Sequence, residues 1–430
     1  MVMSVLLFLF FGILISGAPV FIAIGLSSVM AIWVGGDIPE LLVVTRLFGG
    51  LDKFAVMALP FYIFAANLMD VGGLSVRIVE WARSLVKNVV GGMAVATEVA
   101  CMAFGALSGS APATVVAIGR LMAPRLVKDG YSESFIAGLI TSSGSVAVII
   151  PPSITIMLFA ASTGASTGAL FIGGIIPGLL YGLFTALYCM WHAKKNGIKK
   201  SSSVEDAPDT LWNSTKKASW ALGVPVIILG GIYAGIVTPT EAAGLSAVYA
   251  YFVGAVVYKK IGIRELIDVS KKSVITVAQV MSLIAVASIF AWILTVMQLP
   301  QQMSTFVAGS SSTIFFLISM NVILLIAGMF MDPNSLIIIL GPIFYQIGMV
   351  LGLSATHIGI IMTMNLAIGM FTPPFGLNLF VTSSVIDVPM FSIYRSVIPF
   401  ILVSILVLIL ITFAPGITTF LPSLVFKGGI

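Results

Sequence analysis

Charged side chains are scarce in this chain. Asp, Glu, Lys and Arg make up 9% of its 430 residues, against roughly 25% in a soluble domain. Hydrophobic residues reach 59%, and the mean hydropathy is +1.15. This excludes a water-soluble domain and indicates a polytopic membrane protein with little soluble mass. The net charge of +5 is no nucleic-acid footprint, because the basic residues sit between apolar runs. Cysteine is nearly absent. Cys101 and Cys189 both lie in apolar stretches and read as packing residues, not as a disulfide. His192 and His357 are isolated, which argues against a metal centre. There is no HExxH pair, Walker loop or GxSG nucleophile, so an ATP-driven or proteolytic role has no residues to rest on. The first apolar run, from Val5, lacks a basic flank and a small-residue cleavage site and reads as a retained helix.

What is present is proline where a membrane helix should be. Gly144 to Ser153 is apolar yet contains Pro151-Pro152, and Ala367 to Phe375 contains Pro373-Pro374. Each proline removes an N–H donor and clashes with the carbonyl four residues back. Two in a row at membrane depth break the helix and free backbone carbonyls. Lipid does not tolerate these unless protein or an ion satisfies them. The two pairs lie 222 residues apart. At that offset Gly130 meets Gly352, Ser132 meets Ser354, Thr141 meets Thr363, Ser162 meets Ser384, and Ile176-Pro177 meets Ile398-Pro399. The chain reads as two copies of one unit, 1–210 and 218–430. Interrupted helices at corresponding places in two halves point to a transporter binding site.

The expected fold is all-α and polytopic. Each copy has five membrane crossings, one of them a broken helix, and one re-entrant hairpin. In the first copy, spans at 2–16 and 20–34 turn at Gly17-Ala18-Pro19. An amphipathic segment at 35–53 lies on the membrane, a span follows at 54–70, and a polar-interrupted stretch completes the scaffold portion 1–91. The hairpin covers 93–124 with its tip at Ser108–Ser110; its arms of about 13–15 residues are too short to cross about 30 Å of hydrocarbon. Ser110 suits an N-cap and Pro112 a first helical turn. The broken helix covers 132–165, a span 170–191, and a hydrophilic loop 192–217. In the second copy the scaffold portion is 218–292, with spans at 220–237, 241–258 and 274–292 and an amphipathic Lys259 to Lys272. The hairpin is 316–346, tipped by Met331-Asp332-Pro333-Asn334. The broken helix is 353–387 and the last span 392–413.

An odd number of crossings inverts the second copy. Placing the 192–217 loop in the cytoplasm puts all but four of the 21 basic residues (Arg46, Lys53, Arg395 and Lys427) on that face, as the positive-inside rule expects. Residues 71–91 and 120–130 are basic, whereas their copies at 293–313 and 342–352 carry no charge. Both termini then lie on the periplasmic side.

The hairpin tips and broken helices of inverted copies are expected to meet near the midplane. Freed carbonyls suit a hard cation such as Na⁺, and helix N-termini suit a carboxylate. The cation candidates are Ser108, Ser110, Gly144, Val148 and Pro151, with the equivalent set Gly328, Met331, Gly369, Thr372 and Pro373. The substrate candidates are Ser110, Thr114, Ser153, Asn334 and Asn378, at or just after helix starts. Any single Ser or Thr here also has the ordinary reading of a helix–helix hydrogen bond. Glu98 and Asp332 are the deepest acids; Asp332 reads first as a helix cap and second as a cation ligand. Arg120 and Arg125 read as snorkelling to the cytoplasmic face, and Glu241 as a helix cap.

Gly49-Gly50-Leu51-Asp52, Leu59-Pro60-Phe61-Tyr62, Gly105-Ala106-Leu107-Ser108-Gly109-Ser110-Ala111, Ile149-Ile150-Pro151-Pro152-Ser153, Thr238-Pro239-Thr240-Glu241-Ala242-Ala243 and Thr372-Pro373-Pro374 follow in order. With these the chain resembles, over nearly its whole length, the large membrane subunit (M, or DctM-like) of tripartite ATP-independent periplasmic (TRAP) transporters. The resemblance implies an elevator of the ion-transporter superfamily in the bacterial inner membrane, driven by a Na⁺ gradient. It implies two partners: a periplasmic substrate-binding protein and a small four-helix membrane subunit on a separate chain. Substrates would be organic acids, with sialic acid and C4-dicarboxylates foremost. The alternatives are a stand-alone Na⁺/carboxylate symporter, a channel, and a non-transporting membrane scaffold.

Overall fold

The computed structural model describes residues 2–35, 41–198, 210–298 and 313–426, in which every regular element is helical. The chain begins with α1 (Val2–Ile15), α2 (Val20–Gly35), α3 (Leu41–Leu51), α4 (Phe54–Val71) and α5 (Leu74–Leu85). A helical hairpin follows, α6 (Gly92–Ser108) and α7 (Ala111–Lys128). Next comes α8 (Glu133–Ser145), which tightens into a 3₁₀ turn at Val146–Val148, breaks, and restarts as α9 (Ile154–Thr163). The long α10 (Thr167–Lys195) closes this part. The later part repeats the element order with α11 (Leu211–Tyr233), α12 (Pro239–Phe252, ending in a π turn at Val253–Val257) and α13 (Ile263–Val296). It continues with α14 (Thr313–Gly328) and α15 (Pro333–Val350), then α16 (Ala355–Gly369), a break, and α17 (Leu377–Ile386). It ends with α18 (Met390–Phe413) and α19 (Gly416–Val425).

Helix starts are marked chemically. Ser132, Ser153, Ser166, Thr238 and Asp332 each occupy an N-cap, with the side chain accepting a backbone N–H three residues on. At Thr238 the cap is reciprocal, because the Glu241 carboxylate accepts the Thr238 N–H at 2.7 Å. Both Pro151-Pro152 and Pro373-Pro374 are cis.

Burial separates an inner from an outer set of helices. Phe135 through Ser145 of α8 and Thr356 through Gly369 of α16 are buried without interruption, so protein surrounds these helices on all sides. The outer helices present apolar side chains outward, among them Phe8, Trp33 and Val226. Five helices among the described residues are long and apolar enough to cross a membrane: α10, α12 with its π turn, α13, α15 and α18.

The structure departs from the sequence reading in four places. An amphipathic segment at Lys259 to Lys272 followed by a separate span is instead the single 34-residue α13. Its counterpart does divide, into α3 and α4, at Asp52 and Lys53, with Lys53 extended. The difference is local: Gly49 and Gly50 weaken the first helix, where Lys271 and Lys272 sustain the second. The arms of the first hairpin run 17 and 18 residues, not 13–15. At 1.5 Å per residue they reach about 25–27 Å, so length alone does not keep them from crossing. The hydrophilic loop 192–217 is shorter than expected, because α10 continues to Lys195 and α11 already starts at Leu211. Finally, α19 packs along α10 after the last span and was not foreseen. Much of the uncharged 293–313 segment, like Lys199, Lys200 and Lys427, lies outside the described residues.

Candidate functional site

Glycine lets each hairpin approach a break. Gly109, at the first tip, has φ +58°, and a Cβ there would stand 2.8 Å from the Pro152 carbonyl oxygen. A left-handed residue that close to another backbone requires glycine. Below the second tip, a Cβ on Gly369 would meet the Gly328 backbone at 2.6 Å. The restarted half of each broken helix then packs on the other hairpin. On one side Phe159 of α9 stands edge-on to Tyr345 of α15. On the other, α17 lies along α7 and is tied to α8 by Thr141 donating to Thr382 at 2.8 Å.

This crossing leaves a cavity of about 100 Å³ lined by all four motifs. The first tip contributes Gly109, Ser110, Ala111 and Pro112, and the first break Val148, Ile154 and Thr155. The second tip contributes Asp332, Pro333 and Asn334, and the second break Met370 and Leu377. The lining is doubled at the 222-residue offset: Ser110 with Asp332, Ala111 with Pro333, Pro112 with Asn334, Val148 with Met370, and Thr155 with Leu377.

The electrostatics follow from helix ends. The N-termini of α7, α9, α15 and α17 all contribute lining residues, and each carries a partial positive charge on its unpaired N–H groups. Asp332 is the lone charged residue of the lining. Its carboxylate caps its own helix, accepting from Ser335 N at 3.0 Å and Ser335 Oγ at 2.5 Å. Across the cavity, Thr155 Oγ1 donates to Asn334 Oδ1 at 3.0 Å and joins the starts of α9 and α15.

Of the sequence candidates, Ser110, Val148 and Asn334 line the cavity. Ser110 holds the N-cap position of α7, but its hydroxyl makes no capping bond, contrary to expectation. Ser108 Oγ instead accepts the Ser110 N–H at 3.3 Å and pairs with Thr114 Oγ1 at 3.1 Å, so Ser108 and Thr114 brace the tip from behind. Ser153 caps α9 and donates to the Val148 carbonyl at 2.5 Å. Asn378 donates to Ser145 Oγ at 2.7 Å, while its buried Oδ1 has no partner. Thr372 donates to the Ile368 carbonyl at 2.7 Å. Gly144 is pressed against Val115, and Gly328 against Gly369. Met331 precedes Asp332, and Pro151 and Pro373 open the cis pairs. None of Ser108, Thr114, Gly144, Pro151, Ser153, Gly328, Met331, Gly369, Thr372, Pro373 and Asn378 reaches the cavity surface. Glu98 is fully buried on α6 and away from it. Arg125 does not snorkel freely but bonds Glu80 of α5 at 2.7 Å. His357 pairs with Thr418 at 2.9 Å, no metal-holding cluster occurs among the described residues, and both cysteines are free and buried. Thr155, Met370 and Leu377 were missed. The first sits two residues after the Ser153 cap, and Met370 is 222 residues from Val148, so the offset alone could have found it.

Residues 7–417 match the model of the DctM component of the tripartite ATP-independent periplasmic transporters. The chain belongs to that family. It is 38% identical to the C4-dicarboxylate TRAP transporter large permease protein DctM of Vibrio cholerae, over 99% of this chain and 98% of that one. It is 33% identical to the sialic acid TRAP transporter large permease protein SiaM of the same organism, over 88% of each. In fold it is similar to the YdaH transporter of Alcanivorax borkumensis, with a TM-score of 0.63 at 14% identity, over 87% of this chain and 88% of that one. As a DctM-type chain with several membrane-length helices it is a multi-pass membrane protein and one component of a three-part transporter.

Proposed function

We propose that this chain is the transport subunit of a Na⁺-coupled uptake system for an organic acid of the C4-dicarboxylate class, and not an enzyme. The carrying observation is the single cavity at which four helix N-termini meet beside one carboxylate. The helix ends favour an anion. Asp332, partly buried at the same surface, opposes one unless a cation accompanies it. Anion and Na⁺ therefore enter together, with the Val148 and Met370 carbonyls and the Asp332 carboxylate as oxygen donors for the ion. The anion's candidates are Ser110, Asn334 and Thr155, with Asn378, Ser153 and Thr114 behind them. A cavity of about 100 Å³ is below the ~300–1,000 Å³ of most ligand sites. That favours a small diacid over sialic acid, as does the higher identity to the dicarboxylate permease.

The recurring element order and the doubled lining support two inverted repeats. The hairpins and broken helices would move as one elevator body against α1–α4 and α11–α13. The charge distribution supports an orientation in the bacterial inner membrane with both termini in the periplasm. A periplasmic binding protein would deliver the acid, and a separate small membrane subunit would widen the fixed part. Reconstitution tests this reading. Uptake of a C4-dicarboxylate into proteoliposomes is expected only with an inward Na⁺ gradient, the small subunit and loaded binding protein. Uptake without binding protein would instead favour a stand-alone symporter, and uptake without Na⁺ would remove the coupling.

A further inference from the structure

A second, larger cavity of about 530 Å³ lies between α3 and α13 on one side and α9 and α15 on the other. One flank of α3 faces it at helical spacing, with Leu42, Arg46 and Gly49 in a row, and Lys53 reaches it from the extended break that follows. Trp292 of α13, Leu158 of α9 and Ile338 of α15 add apolar wall. The neighbouring flank of α3 carries Leu41, Val44 and Phe48, all exposed, so the cavity adjoins an exposed apolar face. Gly50 seats α3 on α13, where a Cβ would stand 2.6 Å from Ser288 Cβ, and Ser288 donates to the Arg46 carbonyl at 2.5 Å. Gly49, one residue away, has nothing within 4 Å of its Cβ position. The pocket is thus a built gap beside a tightly seated helix.

Among the described residues neither Arg46 nor Lys53 pairs with an acid, whereas Arg83 and Arg125 both pair with Glu80. Arg46 lies over the Trp292 ring, 5.3 Å from its centre, and Lys53 Nζ donates to the Ala161 carbonyl at 2.9 Å. Two unneutralised cations and a tryptophan above apolar wall form a headgroup-binding arrangement at a membrane boundary. We propose that this pocket holds the phosphate of an anionic phospholipid between Arg46 and Lys53, with the start of an acyl chain along Leu42 and Trp292. The lipid would lie between the part proposed to stay fixed and the part proposed to move. The inference rests on membrane embedding and not on the choice of cargo.

Native mass spectrometry of the purified full chain tests it, with phosphatidylglycerol, phosphatidylethanolamine or free succinate added in separate arms. Wild type is expected to retain phosphatidylglycerol in preference to phosphatidylethanolamine. Arg46→Gln and Lys53→Gln should each weaken retention about fivefold, and the double variant roughly 25-fold. Arg46→Lys and Lys53→Arg should keep the lipid. If the double variant does not fold, the single and charge-keeping variants decide. Equal retention in wild type and the Gln variants, or no preference between the lipids, overturns the proposal. Displacement of the lipid by succinate also overturns it, and would make the pocket a cargo entry site.

Discussion

Asp332 combines two roles that a substitution can separate. Asparagine is as good an N-cap as aspartate, so Asp332→Asn should leave the melting temperature within a few degrees of wild type while removing the charge. The expected result is a severalfold rise in the Na⁺ concentration for half-maximal uptake; an unchanged Na⁺ dependence would leave Asp332 a cap only. Thr155→Val keeps shape but deletes the bond to Asn334. It should cost on the order of 1 kcal/mol and raise KM for the acid more than it lowers kcat, measured as initial uptake rates. Glu241 closes the reciprocal cap of α12, accepting from the Thr238 N–H at 2.7 Å and the Thr238 hydroxyl at 2.8 Å. Glu241→Ala removes that half of the cap and should cost a modest part of the stability, read as a lower melting temperature.

At the scale of elements, glycine contacts divide into those that hold the architecture and those that do not. A methyl on Gly369 would strike Gly328 backbone, whereas one on Gly244 in α12 would meet nothing within 4 Å. Gly369→Ala should destabilise by about 1–3 kcal/mol and Gly244→Ala should stabilise by up to about 1 kcal/mol, compared by thermal denaturation. The same division explains what could be read in advance. The breaks at Pro151 and Pro373 and the turns at Gly109 and Asp332 were legible, because proline, glycine and capping residues mark the backbone locally. The continuity of α13 was missed, because polarity at Lys271 and Lys272 reads as an interface while their helix propensity says nothing of one. Thr155 with Asn334, and Thr141 with Thr382, are separated by 179 and 241 residues. Nothing local announces such partners. Ser110 makes no capping bond, and Pro112 removes one of the two N–H donors its hydroxyl could have accepted.

For the whole molecule, charge placement makes a prediction that needs no functional assay. Cys101 and Cys189 are buried and free, so introduced thiols can be followed against low background. A membrane-impermeant maleimide should label Gly428→Cys from the periplasmic side and Ser202→Cys only after the membrane is opened. Labelling of both from the same side would refute the inverted arrangement. The two halves that meet at the central cavity are related in position but not in chemistry. Ser110 corresponds to Asp332, Pro112 to Asn334, and Thr155 to Leu377. A receptacle with such unlike walls gives even a passenger with two identical ends a front and a back, so only one end would travel beside the ion.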